Sequence, residues 1–554
     1  MKKHGIGLLA AAMLLLAASS LTVFAAEEAL VPGASAVVGE STVIGQSQGQ
    51  NSARVQELLG KAKPWDGKDL TGKGVWALTG DVTLTQNCTV GKDAILLVPA
   101  DYRLTVAGET LNCQGEIAGQ MVVNGGSVQN SGTLERAAVL DGTLENRGQL
   151  QELLLAGGQA KNHPEARIQD LAADGGKLQN DGVLISGQLS GSTSFVNGSG
   201  AICRQLYQNG GSCTIEADSI AWELQQQGGS CANAGLVENW TVSGGEALNS
   251  SVVQKMQLEG GVLQNRRTIE GLSLLGGTLQ NRGTLTGAVE LSGGVLENWE
   301  KGSADLVRQK DGQLSNNGRI GRLQCQGGQA DNGLTGKMEQ VELDGGQLRN
   351  IGAVDQMIQT GGELSNGARI QKLEQNGGAS YNLSADLDGC IDSLWLSGGR
   401  MDNQGRIGEA AISGQGELYN REGGGNIRQV VLKNTGSFQN SGQVQSVTNL
   451  MGEELSLLTV GQVSSQIGTV TVQAERRDAA GRYVAHGRLV ELTAQAADGW
   501  VFERWSVSGV EVASETDHST TFLMPEGAVD VQAVFVPEPP KNPVTESDQT
   551  AISA

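Results

Sequence analysis

A phrase of six residues (two glycines, any residue, an apolar residue, any residue and an asparagine) returns repeatedly between about Thr110 and Asn440. Gly260-Gly261-Val262-Leu263-Gln264-Asn265 is followed by Gly276-Gly277-Thr278-Leu279-Gln280-Asn281 and by Gly293-Gly294-Val295-Leu296-Glu297-Asn298. A period this short constrains the architecture more than any other signal in the chain. Aligned on the last residue of the phrase, 19 slots appear: Asn130, Asn146, Asn162, Asn180, Asn197, Ile215, Asn233, Asn249, Asn265, Asn281, Asn298, Asn316, Asn332, Asn350, Asn366, Asn382, Asn403, Asn420 and Asn440. They lie 16 to 18 residues apart, stretching to 21 and 20 only across Asp386-Leu387-Asp388 and Glu422-Gly423-Gly424-Gly425, which read as loops bulging from one corner.

Two apolar columns lock to this frame. The residue two before the slot is apolar in every copy except Ser380. The residue nine before is apolar in every copy except Gln188, and includes Met121, Leu153, Leu206, Trp240, Leu272, Val341, Leu373 and Val431. The residue four before is Gly in every copy except Thr193. Polar residues fill the positions between, so the pattern alternates locally as a strand does. A helix-pair repeat needs about twice this period and would lose about 1 kcal/mol per Gly relative to Ala. The pattern therefore predicts an all-β chain: a parallel β-solenoid of about 19–20 short coils, each of two or three short strands stacked at about 4.8 Å, giving a rod on the order of 95 Å.

Glycine suits a corner of positive φ. The asparagine, two residues from an inward apolar position, also faces inward, where amides one coil apart can bond as a ladder and satisfy groups that are costly to bury. Asn130, Asn146, Asn180, Asn249, Asn265, Asn281, Asn298, Asn316, Asn350 and Asn366 are accordingly assigned a structural role rather than a ligand-binding one. Gln208, Gln226, Gln309, Gln359 and Gln375, seven before the slot, are expected to form shorter runs of the same kind.

The flanks differ. Residues 1–25 have the three parts of a secretion signal: Lys2 and Lys3, an apolar run, and Val23-Phe24-Ala25 as a small-residue cleavage site. The apolar run is too short for a good membrane anchor. Cleavage takes the formal charge from −21 to about −23 by removing the two lysines, and so acidic a chain makes nucleic acid an unfavourable partner. Residues 26–73 read as a flexible lead-in with a short helix near 51–63 through Val55, Leu58 and Leu59, covering the first coil. Residues 74–119 read as first coils and cap, with Cys113 in the slot of an earlier coil. Residues 120–450 are the repeats, and 537–554 form a Pro-rich tail without an LPxTG-like sorting motif, pointing to release or non-covalent wall association.

Seven cysteines (Cys88, Cys113, Cys203, Cys213, Cys231, Cys325 and Cys390) in an exported chain of this length do not make a disulfide-stapled miniprotein. Cys213 and Cys231 share a column in adjacent coils, so either a disulfide or two buried thiols fits there. There is no CxxC pair, and the four histidines give little support to a metal site. No cofactor is implied.

A second module follows, with alternating strands Val470-Thr471-Val472, Leu489-Val490-Glu491-Leu492-Thr493-Ala494, Gly499-Trp500-Val501-Phe502-Glu503-Arg504-Trp505, Thr520-Thr521-Phe522-Leu523-Met524-Pro525 and Val529-Asp530-Val531-Gln532-Ala533-Val534-Phe535. This order, over about 467–536, resembles the divergent B-repeat family named after the listerial internalins, found in exported proteins of Gram-positive bacteria. The resemblance implies a small β-rich, grasp-like extracellular spacer or interaction module without enzymatic activity, with Trp500, Phe502, Trp505, Phe522 and Phe535 mainly in its core. More loosely, the repeats resemble the coils of bacterial adhesin passenger domains of the filamentous haemagglutinin type, but no outer-membrane barrel or secretion domain follows them.

Catalysis has weaker support. Polysaccharide lyases and hydrolases on parallel β-helices gather charged residues along a groove, whereas no column here stacks Asp or Glu in successive coils, and Asp386/Asp388 and Asp170/Asp174 read as solvated charges. Calcium-binding rolls need an Asp per turn that this repeat lacks. The expectation is an exported, non-catalytic surface or secreted protein adhering to a glycan or protein surface. A polysaccharide-active enzyme and a passive envelope spacer are the alternatives.

Overall fold

A computed structural model describes residues 51–383, 389–433, 436–474 and 482–539. The expected signal segment, the lead-in up to Gln50, the Asp386-Leu387-Asp388 insertion and the tail from 540 lie outside the described residues.

The chain winds into a parallel β-solenoid of about 22 turns, on the order of 105 Å long at the usual strand spacing. One coil serves for the rest. Strand Val252–Leu258 leads through the corner Glu259-Gly260-Gly261 into strand Val262–Asn265. Both pair in parallel with the next coil, Val253 opposite Ile269 and Asn265 opposite Asn281. The pairing skips Gln254, where the backbone bends, so a coil has three sides. Val253, Met256, Leu258, Leu263 and Asn265 point inward and are buried. Four apolar side chains and one amide thus fill this coil, and side chains alternating with them face outward.

The corner requires glycine twice over. Gly261 has a φ of +73°, and a Cβ there would come within 2.5 Å of the carbonyl oxygen of Gly245 in the coil before. Stacked corners approach too closely for any side chain between them.

Three residues of the column nine before the slot lie one place from where the periodicity puts them. Gly187, not Gln188, and Val430, not Val431, are the inward residues. In the first case the corner has four residues, Ser190-Gly191-Ser192-Thr193, instead of three, so a count taken back from the asparagine runs one short. The four-residue corner Ser413-Gly414-Gln415-Gly416 likewise buries Ala410 rather than Ala411.

The helix spans Ala53–Leu59, N-capped by the Ser52 hydroxyl. It does not plug the end of the rod. Val55 and Leu58 pack beside Ala77, Leu97 and Ala118 on its flank, and Arg54 pairs with Glu116 at 2.7 Å. At the N-terminal end, strand Lys63–Pro64 pairs with Trp76 and Ala77, while buried Trp65 and Leu70 join the rod's core.

At the C-terminal end the core runs on into the second module. Tyr483 stacks on Phe438 with ring centroids 5.7 Å apart, and Leu455, Tyr483 and Ala485 belong to the core cluster of the rod. The module begins ahead of Ile467: strand Leu455–Val460 pairs antiparallel with Tyr483–Ala485 and in parallel with Val529–Val531. Four strands form one sheet, and Gly468–Ala474, Leu489–Ala496 and Ser519–Leu523 form another. Trp505 and Phe522 are buried with Leu458, Val490 and Leu492, and Phe502 and Phe535 pack partly buried against them, whereas Trp500 is half-buried at the module's edge. No helix occurs among the module's described residues.

Candidate functional site

The asparagine slots form two ladders. Asn130, Asn146, Asn162, Asn180 and Asn197 are linked in sequence, each Nδ2 donating to the next Oδ1 at 2.7–2.8 Å. Ile215 interrupts them. From Asn233 the same bond runs without a break to Asn440 at 2.7–2.9 Å, through Asn249, Asn265, Asn281, Asn298, Asn316, Asn332, Asn350, Asn366, Asn382, Asn403 and Asn420. The second amide proton goes to backbone carbonyls, as from Asn249 to Ser251 and Thr268. Such amides have no spare capacity for a ligand, and their one-way orientation lets each bond polarise the next.

Cys113 occupies the slot before Asn130 and imitates the amide, its thiol donating towards the carbonyls of Gly115 and Thr133. The glutamines do not form runs of their own. Gln208, Gln226, Gln309, Gln359 and Gln375 each donate to two backbone carbonyls, one in their own corner and one in the next coil, as Gln309 does to Gly312 and Gln329. The longer side chain reaches past its counterpart to the neighbouring corner, and so staples corners instead of stacking.

Cys213 and Cys231 face one another in register, both buried and both free thiols. The disulfide that their column would permit is not formed. A hydrogen bond with Cys231 and burial raise the Cys213 thiol well above its ordinary range, which disfavours the thiolate that oxidation requires. Burial likewise pushes Cys113 up to about 12 and Cys88 and Cys325 up to about 11.

The chemistry-bearing side chains gather in few places. Asp170 and Asp174 do not converge: Asp170 lies in register with Glu152, so against the expectation two acids do stack in successive coils here, and Asp174 accepts from the Ser190 hydroxyl at 2.9 Å. Burial, then the Glu152 charge, raises the Asp170 carboxyl, while Glu152 is paired with Arg136. Ser456, His486 and Glu454 approach one another in the module, with Ser456 Oγ 2.7 Å from His486 Nε2 and Glu454 3.8 Å from Nδ1. Ser456 Oγ, however, donates to the Glu526 carbonyl at 2.9 Å. With that proton on the carbonyl the imidazole donates to Ser456 Oγ, and with the proton turned to Nε2 the roles reverse, so the contact fits either tautomer. Among the described residues no three His, Cys, Asp or Glu gather as a metal site, and no helix is long and apolar enough to cross a membrane.

Outward aromatic rings carry cations from the neighbouring coil, Arg204 over Trp222, Arg282 over Trp299, Lys372 over Trp395 and Arg400 over Tyr419, and Tyr419 also carries Arg421 of its own coil, all at 4.0–5.0 Å from the ring centres. Beside Trp299 the rod surface opens into a cleft of about 700 Å³. Periodicity alone did not single it out. The signal was local: a Trp directly after the slot in a coil whose corner, Trp299-Glu300-Lys301, has three residues before Gly302, where the corner after Asn281 has one before Gly283.

Residues 458–539 match the family described as Divergent InlB B-repeat domain, which covers the C-terminal module and not the rod. The chain matches no curated protein and no solved structure.

Proposed function

We propose that this chain is an exported, non-catalytic surface protein whose rod holds outward-facing columns against carbohydrate or protein surfaces, with the B-repeat module closing the rod's C-terminal end. What carries the reading is the division of labour within each coil: buried amides and apolar residues are committed to stacking, which leaves the outward positions free to vary without cost to the fold. A β-solenoid joined to a B-repeat domain fits a surface repeat protein. The secretion signal read from residues 1–25 supports export. The test is to present the secreted form to a glycan array and to host-surface protein extracts, and in parallel to assay it on pectin-like, alginate-like and mucin substrates. Saturable binding without new reducing or unsaturated ends is expected. Substrate cleavage would overturn the reading.

A further inference from the structure

We propose that the cleft beside Trp299 is a subsite for a neutral saccharide, an assignment that rests on the binding role above and specifies one of its surfaces. The site is built across three successive coils. Trp299 sits in a tight turn closed by the Gly302 N–H donating to its carbonyl at 2.7 Å; its own N–H donates to Asn281 in the coil before, and Asn317 N–H in the coil after donates to Asn298 at 2.7 Å. The turn is therefore held on both sides, and the indole is presented from a rigid frame. Glu297 Oε2 accepts from the indole N–H at 3.3 Å and Arg282 stands 4.0 Å from the ring centre, which fixes the ring's orientation while leaving it 37% exposed.

The composition of the wall selects the ligand class. It has one aromatic surface and otherwise polar groups: Arg282 and Lys301 as donors, Glu297 and Glu300 as acceptors, and Asn317 as both. The side chains of Glu300, Lys301 and Asn317 make no hydrogen bond or ion pair among the described residues. Two cations balanced by two carboxylates do not favour a polyanion. A single ring amid polar groups does not enclose an apolar peptide side chain either. A pyranose offers what this wall complements: a face of C–H groups for the indole and a rim of hydroxyls for carboxylate, amide and guanidinium. The volume lies in the range of small-molecule sites, roughly 300–1,000 Å³, and so suits a short oligosaccharide.

The test uses the full secreted chain on an array of neutral oligosaccharides terminating in glucose, galactose, mannose or N-acetylglucosamine, with W299A, N317A and W395A alongside. Wild type and W395A should bind the same saccharide. W299A should lose about tenfold or more in affinity, N317A a smaller factor, and both should keep the wild-type melting temperature. Saccharide binding that W299A leaves intact would overturn this site while sparing the broader role. Binding only to proteins would overturn the saccharide assignment, and loss of binding in W395A alone would move the site elsewhere on the rod.

Discussion

Asn265 and Asn281, one coil apart, are joined side chain to side chain by a hydrogen bond of 2.8 Å from Nδ2 to Oδ1. Because Asn281 passes the same bond to Asn298, removing one amide strands a donor on one side and an acceptor on the other. N281A is therefore expected to destabilise the rod by about 3 kcal/mol, since each buried group left unpaired costs about 1–3 kcal/mol. I215N, placed where the ladder is already interrupted and Asn197 is satisfied by the carbonyls of Ala201 and Ile220, should cost less than half as much. Chemical denaturation of the two variants checks the ranking.

The cap at the C-terminal end is open to a direct challenge. Tyr483 covers Phe438 of the last phrase of the repeat, so Y483A should bare an apolar surface at the end of the rod. A chain ending after Asn449 should expose the whole terminal coil as an unpaired sheet edge. Sedimentation velocity should then show concentration-dependent self-association for the truncated form, a weaker tendency for Y483A and none for the wild type.

The cysteines should react in two classes. Cys390 is half-buried, whereas the other six are buried with 2% exposure or less; burial raises the thiols of Cys88, Cys113, Cys203 and Cys325, and that of Cys390 as well, so access decides the order. Alkylation of the native chain at pH 8 should label Cys390 first and leave the others until the rod unfolds, as read by peptide mass spectrometry.

Asp402 gives the rod an acid-sensitive point. Burial pushes its carboxyl up, but hydrogen bonds from Arg400 and Arg421 outweigh that and hold it below the usual range. A carboxylate lowered in the folded state stabilises above its unfolded pKa of about 4, and that contribution is lost as pH falls through the folded value. D402N should cost about 1 kcal/mol at pH 7, given how exposed the arginines are, and progressively less as pH falls through the folded value. Melting temperatures across that range check the sign.

Much of the rod was legible because its strongest constraint is local. A paired glycine followed by an inward residue and an amide fixes corner, strand and ladder within six positions. Legibility failed where the corner changes length, as at Ser190-Gly191-Ser192-Thr193, because a periodic count cannot detect one extra residue in a turn. It failed for Gln309 and its equivalents because whether an amide meets its twin or a backbone carbonyl depends on side-chain reach, which periodicity does not encode. The start of the module was hidden because Leu455–Val460 continues the apolar rhythm of the repeats while pairing with Val529–Val531, some seventy residues later. The Trp299 cleft depends on three coils whose corners differ, a relation absent from the repeat average.

Everything above depends on successive coils lying directly over one another. Gln264, Asp331 and Gln439 all occupy the exposed position beside the slot, with four register steps from the first to the second and six from the second to the third. Nitroxides attached at these sites in pairs, in a C390S background, should give mean separations of about 19 Å, 29 Å and 48 Å by double electron–electron resonance, growing in proportion to the number of coils. Distances that do not increase with coil number, or a longest separation shorter than either of the other two, would contradict the stacked rod and the function drawn from it.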